Sequence, residues 1–349
     1  MSAEESPDPD DPLEYWIEEH RKVVRNPATV NGDRNALNHL KEYLEEKGLK
    51  PSELTRAEAI NFINWLKNKP NLSNRTIDTY VGKYNEFYGY FSDRGTFQVN
   101  PISSALNEVK IEYDDTPVRR DISVEEMAEF LRSINHPQRF TICTILAKTG
   151  MRGGELLNLD LRDLHLDYPN INEHLPKPRS EIREQPDTLI VDSNVTKGQP
   201  HNGEVRDDGN KRERTTLIPL DNELKQTLIY WLACRLPSRS DAEPLLQLGS
   251  GRNGKVQGDR HSNSGIHSCV RKEAEAYGWY EEGAGLEWNV TPHYFRHFFT
   301  THARQRFDDQ TVVQYIRGDA GKETMDTYTH NWGDKVENQY RENIFKFFE

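Results

Sequence analysis

The amino-acid sequence predicts an α+β protein, built from an N-terminal helical bundle and a larger C-terminal domain that mixes helices with strands. In the first third of the chain, apolar residues recur at helical spacing and no alternating strand pattern is present. After residue 120, three short stretches alternate apolar and polar residues, as strands do, between further helical segments. The length of 349 residues is sufficient for two domains.

The N-terminal unit is predicted to span residues 13–111. It follows an acidic leader, residues 1–12, which we expect to be disordered because it is polar and rich in proline. Thr55 and Glu58 form a capping box at the start of one helix of this unit. The unit is expected to contain four or five helices, with clear apolar faces around Trp16, Leu40, Ile63 and Tyr84.

A linker is predicted at residues 112–120, where charged residues surround Thr116-Pro117 and the helical period is lost. The second domain, residues 121–349, opens with a capping box from Ser123 to Glu126. Strands are expected at 159–166, 188–192 and 215–220. Helices are expected at 140–148, 221–235, 262–277, 292–304, 310–317, 322–328 and from about 333 onwards.

Composition and cysteine content exclude several classes of protein. No apolar run approaches the ~20 residues of a membrane span, and the N-terminus lacks the apolar segment of a secretory signal. Cys143, Cys234 and Cys269 are odd in number and far apart, which excludes a disulfide scaffold and a thiolate zinc site. We therefore expect a cytoplasmic protein with no membrane partner.

The net charge leaves two interpretations open. Basic residues number 45 and acidic residues 57, so the formal net charge is −12. Such a charge argues at first against a nucleic-acid partner, because like charges repel. That argument fails if the basic residues are clustered, or if the protein comes from a salt-loving cell such as a halophilic archaeon. An ordinary acidic enzyme is the alternative.

Two basic segments are candidate functional sites. Arg152 follows a glycine turn at the start of a short helix, where backbone N–H groups favour an anion, and Glu155 is placed to hold its guanidinium group. Further along, Lys197 and then Lys211, Arg212 and Arg214 flank a polar loop between two predicted strands. A hairpin of this kind would place its cations at the tip.

Two further segments lie near the C-terminus. His293, Arg296 and His297 share one helix face, because residues three and four apart are neighbours on a helix. A zinc helix is disfavoured, since the usual glutamate and a third ligand are missing and an arginine would repel the metal. Tyr328 is a candidate functional residue only if it lies beside such cations.

Together these residues form a set that fits phosphodiester chemistry. Two guanidinium groups can hold the non-bridging oxygens of a phosphodiester. A histidine and a lysine can move protons, and a tyrosine can attack phosphorus. This chemistry requires no metal and no nucleotide cofactor.

From Pro12 onward the sequence resembles the tyrosine recombinases, also called the phage integrase family. TGMRGGEL resembles the family's first arginine box, HYFRHFFTTHA its second, and MDTYTH its nucleophile box. LSNRTIDTYVGKYNEFYGYFSDRGTFQVNPI resembles the helical, SAM-like core-binding domain. The resemblance implies a core-binding bundle and a mixed α/β catalytic domain that together clamp double-stranded DNA.

The resemblance also implies the catalytic roles. Tyr328 attacks the scissile phosphate and forms a 3′-phosphotyrosyl link, so the reaction is site-specific breakage and rejoining of DNA strands. Arg152 and Arg296 stabilise the charge on the non-bridging oxygens. His293 helps the tyrosine lose its proton, and Lys197 is the general acid for the departing 5′-oxygen.

Other residues receive supporting roles. Glu155 and His297 are expected to support the site, while Lys211, Arg212 and Arg214 are candidates for DNA binding. Lys211 also competes with Lys197 for the general acid, because the turn after Lys197 is enlarged by residues 199–209.

One position departs from the family's pattern. Asp319 occupies the slot, nine residues before the nucleophile, that usually holds His or Trp, and a carboxylate there repels phosphate unless it is protonated or paired with an arginine. Asp319 therefore supports one alternative, a DNA-binding relative without catalysis. A second alternative, an enzyme that only relaxes DNA by the same chemistry, is disfavoured by the small helical domain.

The working state implied by the resemblance is a homotetramer on two DNA sites. The last helix can then dock on a neighbouring protomer through an apolar face made of Val336, Tyr340, Ile344 and Phe347.

Overall fold

The structure of the chain is a computed structural model that describes six stretches of the sequence. Contacts between residues divide the chain into two compact units, residues 1–116 and 117–349. The division falls inside the stretch where the linker was predicted. The described residues are 11–21, 27–112, 118–251, 255–285, 288–319 and 332–348.

The N-terminal unit is an assembly of helices, as the sequence predicts. Polar side chains satisfy free backbone N–H groups at the helix starts: the Ser73 hydroxyl accepts from the Thr76 N–H at 3.2 Å, and the Asn100 side chain accepts from the Ile102 N–H at 3.1 Å. The α-helices are α1 (Pro12–Tyr15), which continues as a π-helical turn (Trp16–Arg21), α2 (Pro27–Lys47), α3 (Arg56–Lys67), α4 (Asn74–Asp93) and α5 (Pro101–Leu106).

Aromatic side chains dominate the core of this unit. Phe62 contacts both Tyr43 and Tyr84, with ring centroids 5.0 Å apart in each pair. The Tyr84 hydroxyl donates to the Ala36 carbonyl at 2.8 Å, so this buried polar group is satisfied. The unit therefore has its own hydrophobic core.

The C-terminal unit contains nine α-helices among its described residues. The predicted capping box opens the first of them: the Ser123 hydroxyl accepts from the Glu126 N–H at 3.1 Å, and the Glu126 carboxylate accepts from the Ser123 N–H at 2.8 Å. In the part of the chain that the structure describes, no helix has the length and apolar character of a membrane span. The helices are α6 (Val124–Ser133), α7 (Pro137–Thr149), α8 (Gly153–Leu157), α9 (Pro169–Asn172), α10 (Asn222–Cys234), α11 (Asn263–Ala276), α12 (Pro292–Arg306), α13 (Gln310–Arg317) and α14 (Trp332–Asn343).

The strands of this unit form two small antiparallel sheets. The larger has the order β1-β2-β5, and Ile190 of β2 lies opposite Leu217 of β5. The smaller pairs β3 with β4. The strands are β1 (Leu164–His165), β2 (Thr188–Val191), β3 (Pro200–His201), β4 (Glu204–Val205) and β5 (Thr216–Pro219). The α+β class is confirmed.

The strand predicted at 159–166 is wrong over most of its length. A 3₁₀ turn, Leu161–Asp163, precedes the two-residue β1. The Asp163 carboxylate accepts from the Asp160 N–H at 2.8 Å and closes this turn. The Leu161 N–H donates to the Glu243 carbonyl at 2.9 Å, outside any strand. Side-chain capping thus overrides the alternating pattern.

The enlarged turn between β2 and β5 is an ordered hairpin formed by β3 and β4. Asn202 and Gly203 lie at its tip with φ of 51° and 79°, the positive values that a tight two-residue hairpin turn requires. Arg206, just after β4, is buried. The hairpin is therefore attached to the domain and is not a free loop.

The apolar face of α14 packs within its own chain. Val336, Tyr340, Ile344 and Phe347 are all buried, and the Tyr340 hydroxyl donates to the Lys148 carbonyl at 3.0 Å. In the single chain this face is therefore covered from within, and its docking on a neighbouring protomer stays a prediction. The helix predicted at 322–328 lies outside the described residues.

Candidate active site

Helix α7 and the turn that follows it position Arg152, the first of the predicted site residues. Its residues from Thr141 to Thr149 are all buried, and it ends at Gly150 with φ of 60°. A Cβ atom at Gly150 would lie 2.5 Å from the Phe299 ring, so both the backbone conformation and the available space require glycine. The sharp turn places Arg152 at the start of α8.

Arg152 is held by the glutamate that the sequence singles out. Its backbone N–H donates to Glu155 Oε2 at 2.8 Å, and its Nη1 donates to Glu155 Oε1 at 3.0 Å. Nη1 also donates to the Lys211 carbonyl at 3.0 Å. Glu155 is buried, so this carboxylate fixes both the backbone and the guanidinium of Arg152.

Arg212 is not a surface cation of the hairpin. Its side chain is buried, Nη2 pairs with Glu155 Oε2 at 3.1 Å, and Nη1 donates to the Ile316 carbonyl at 3.0 Å. A Cβ at Gly318 would lie 2.8 Å from this side chain, so glycine there leaves room for Arg212. The prediction that Arg212 binds DNA from the hairpin tip is therefore wrong, because the group is used inside the domain.

Arg296 projects from α12 into the same cluster. Its Nη1 donates to the Gly150 carbonyl at 2.8 Å and to the Arg317 carbonyl at 2.7 Å. Burial, together with the nearby charge of Arg152, lowers the pKa of Arg296 to about 10. Arg296 is still charged at neutral pH, and the repulsion between the two cations creates a strong preference for an anion between them.

Asp319 supplies an anion to this cluster. Its Oδ1 accepts from Arg152 Nη2 at 3.0 Å and also from Arg296 Nη2, while Oδ2 pairs with Arg317 Nη2 at 2.8 Å. A carboxylate at the usual His or Trp slot is thus paired with arginines. Sequence reasoning missed Arg317, although its position two residues before Asp319, at the end of α13, was a usable signal.

His293 and His297 lie one helical turn apart on α12. Partial burial, and then the positive charge of Arg119, lowers the pKa of both imidazoles. A neutral imidazole at pH 7 has a free lone pair and can accept a proton. Arg119 belongs to the predicted linker, and its influence on these histidines was not visible in the sequence.

A cavity of about 280 Å³ joins the predicted residues. The side chains that sequence reasoning missed include Asp208 and Asn263, which share a hydrogen bond of 2.7 Å. Three larger cavities among the described residues, of about 380, 710 and 780 Å³, contain none of the predicted catalytic groups. The predicted residues that line the 280 Å³ cavity are Arg152, Glu155, Lys211, His293 and Arg296.

The two candidate lysines differ in their relation to this cavity. Lys211 lines it, whereas Lys197 is not among its lining residues and lies exposed at the base of the β3–β4 hairpin. A Cβ atom built at Gly209, which lines the cavity, would lie 3.0 Å from the backbone nitrogen of Lys197. The backbone of Lys197 therefore lies close to the cavity wall. Tyr328, the predicted nucleophile, lies outside the described residues.

Comparison with known proteins gives matches along nearly the whole chain. The family model of the phage integrase SAM-like domain matches residues 13–105. The tyrosine recombinase XerC of Actinobacillus pleuropneumoniae is 21% identical over 320 residues, which cover 90% of this chain and 87% of the relative. The tyrosine recombinase XerD of Listeria monocytogenes is 22% identical over 309 residues, which cover 86% and 87%.

Solved structures share the fold. The Tn1549 transposon integrase, in complex with a circular intermediate DNA, aligns with a TM-score of 0.63 at 17% identity and covers 94% of this chain and 98% of its own. A lambda integrase dimer bound to a core site aligns with a TM-score of 0.57 at 12% identity and covers 91% and 97%. Along nearly its whole length the chain is therefore similar in sequence to tyrosine recombinases, and it shares the fold of the solved integrases.

Proposed function

We propose that this chain is a site-specific DNA recombinase that cuts and rejoins DNA through a covalent phosphotyrosyl intermediate. The observation that carries the proposal is the convergence of Arg152, His293 and Arg296 on one cavity. These residues come from two segments more than a hundred positions apart in the sequence. The chain matches the two tyrosine recombinases named above over most of their length.

In the proposed reaction, a bond forms between the phenol oxygen of Tyr328 and the scissile phosphorus, and the bond from phosphorus to the 5′-oxygen breaks. His293, held neutral by its lowered pKa, accepts the phenol proton. A lysine gives a proton to the departing 5′-oxygen. Rejoining reverses these steps with the 5′-hydroxyl of a partner strand, so no external energy source is needed.

Arg152 and Arg296 are the groups that stabilise the transition state. Their guanidinium groups are preorganised by Glu155 and by backbone carbonyls, so they do not need to reorient as charge builds on the phosphate oxygens. His297 lies one turn further along the same helix and does not line the cavity, and we assign it a supporting role.

The general acid is Lys197 or Lys211, and different observations favour each. Lys197 directly follows the Val195-Thr196 segment after β2, as the resemblance implies, whereas Lys211 lines the cavity. A substrate with a 5′-thio leaving group distinguishes them, because a thiolate departs without protonation. Such a substrate restores cleavage only to the alanine variant of the lysine that acts as the acid.

The proposed partner is double-stranded DNA, acted on by a homotetramer. Support comes from the solved relatives, one of which is a lambda integrase tetramer bound to a Holliday junction, with a TM-score of 0.59 at 12% identity. Lys211 and Arg214 remain our candidates for contacts to DNA. Because the proposed substrate is the cell's own DNA or an element joined to it, we place the protein in the cytoplasm.

The decisive experiment traps the covalent intermediate on a DNA substrate that carries a nick beside the cleavage site. The wild-type chain is expected to form a covalent adduct, and Tyr328→Phe is expected to bind the DNA without forming one. Tyr315→Phe is the matched control, because its hydroxyl accepts from the Leu217 N–H at 3.0 Å within the fold.

The possible outcomes separate the alternatives. If Tyr328→Phe forms an adduct, the nucleophile is a residue other than Tyr328. A wild-type chain that binds but never reacts is a DNA-binding relative without catalysis, and one that forms the adduct without exchanging strands only relaxes DNA.

We also propose that the acidic surface is an adaptation to a salt-loving host. At molar salt the Debye length shrinks to ~3 Å, so repulsion between DNA and a chain of net charge −12 is screened. Cleavage is then expected to persist at molar KCl. A steady loss of cleavage by ~0.5 M, with the fold intact by circular dichroism, contradicts this proposal, because ordinary DNA binding weakens steeply with salt.

A further inference from the structure

The carboxylate of Asp319 occupies the position that an anionic substrate needs. Its Oδ1 is shared between Arg152 Nη2, at 3.0 Å, and Arg296 Nη2. A non-bridging oxygen of a phosphodiester held between two guanidinium groups would make the same pair of contacts. The Asp319 side chain is 36% exposed, so it sits where solvent, and therefore a ligand, can reach it.

The other terminal nitrogen of each arginine has structural partners. Arg152 Nη1 donates to Glu155 and to the Lys211 carbonyl. Arg296 Nη1 donates to the Gly150 and Arg317 carbonyls. Each arginine thus uses one terminal nitrogen to fix its place in the fold and the other to hold Asp319.

The charge balance explains why an anion sits there in a chain without DNA. Three guanidinium groups surround Asp319. Burial, and then repulsion from neighbouring arginines, lowers the pKa of Arg296 and of Arg317. Glu155 offsets part of this charge, but it is shared with Arg212. The Asp319 carboxylate therefore relieves a repulsion that a bound phosphate would otherwise relieve.

Arg317 provides the Asp319 carboxylate with a second, separate ion pair. It pairs with Oδ2 at 2.8 Å, separately from the two arginines that hold Oδ1. Its side chain is 19% exposed. When Oδ1 is displaced, the contact to Arg317 keeps the carboxylate paired, so the displacement does not leave a bare charge.

We propose that Asp319 is an internal stand-in for the scissile phosphate. In the free chain it occupies the anion site of Arg152 and Arg296, and the phosphodiester must displace it, after which Arg317 retains it. Anions that cannot form enough other contacts are thereby excluded. The inference deepens the proposed function, because it concerns how the same site selects its substrate.

The test measures the binding of inorganic phosphate by calorimetry, at one fixed KCl concentration. Asp319→Asn keeps the shape of the side chain and removes the competing charge. Phosphate affinity is expected to rise about tenfold or more, the scale of losing one charge-assisted competitor. Asp241→Asn, at an exposed position of the same domain, makes the same change in net charge and is expected to leave the affinity unchanged.

Two results overturn the proposal. If Asp319→Asn binds phosphate no more tightly than Asp241→Asn, the carboxylate does not compete for the site. If it binds more weakly, Asp319 organises the arginines for the ligand. Asp319→Ser serves as a second variant should the Asn variant fail to fold, which thermal unfolding monitors.

This experiment is independent of cleavage. Phosphate binding involves neither Tyr328 nor a general acid, so a wild-type chain that never forms a covalent adduct refutes the proposed reaction and leaves the phosphate comparison interpretable. Conversely, an active enzyme with unchanged phosphate affinity in Asp319→Asn keeps the proposed reaction and refutes the stand-in role.

Discussion

Two clusters in the C-terminal domain place an aspartate between arginines, and they differ in exposure. In the first, which we call the buried cluster, Asp160 accepts from Arg206 Nη2 at 2.7 Å and from Arg260 Nη2. The side chains of Asp160 and Arg206 are 0% exposed. In the second, the anion site, Asp319 is 36% exposed between Arg152 and Arg296.

The difference in exposure determines whether a ligand can enter each cluster. In the buried cluster both oxygens of Asp160 are used, and Arg260 Nη1 also donates to the Leu157 carbonyl at 2.8 Å, so no ligand can enter. Arg206 thereby fastens the β3–β4 hairpin to the domain. In the anion site the carboxylate is reachable, and we propose that another anion replaces it there. Burial converts the same pairing from an exchangeable contact into a structural one.

The largest effect is expected where the buried cluster loses its charge. Asp160→Asn leaves Arg206 and Arg260 without a full counter-charge in a dry environment. The free energy of unfolding is expected to fall by ~3–5 kcal/mol, the range for breaking a buried ion pair. Urea denaturation followed by circular dichroism measures the change. A loss no larger than that of the exposed variant Asp241→Asn would show that the cluster is not structural.

The next effect concerns catalysis and not stability. Arg296→Lys keeps a positive charge but loses the planar fork that reaches the Gly150 and Arg317 carbonyls as well as an anion. Cleavage of the nicked substrate is expected to slow by ~10² or more, the cost of removing one group that stabilises the transition state. Near-wild-type cleavage would show that charge alone suffices in the anion site.

The smallest effect is a pH dependence that arises beside the buried cluster. Burial, and then the charge of Asp160, raises the pKa of Asp163 to about 7. The folded chain then binds more protons than the unfolded chain between the ordinary pKa of an aspartate and about pH 7, so stability falls as pH rises through this window.

Asp163→Asn cannot titrate, and its stability is expected to vary less over the same window. Thermal unfolding of the wild type and the variant at several pH values measures the difference. Parallel curves for the two chains would assign the pH dependence to other groups.

Local patterns in the sequence were sufficient for much of the fold. Ser123 and Glu126 form the predicted capping box, and the apolar period of α4 matches its buried face. Prediction failed where side chains replaced the backbone's usual partners, as in the turn that Asp163 closes before β1. The positions of the site residues were also partly accessible, because Arg152, Glu155 and Arg296 stood in recognisable boxes.

The sequence by itself determined that one domain is helical and the other mixes helices with strands. It also determined the chemistry available to its arginine, histidine and tyrosine residues, and the family that these residues resemble. Only the tertiary structure decided which arginines meet. Arg212 is buried against Glu155, and Asp319 joins Arg152 to Arg296 across 167 and 23 residues of sequence. Periodicity and capping act over a few residues, whereas ion pairing depends on which side chains folding brings within a few ångströms. The pairing of Asp319 is therefore a property of the folded domain.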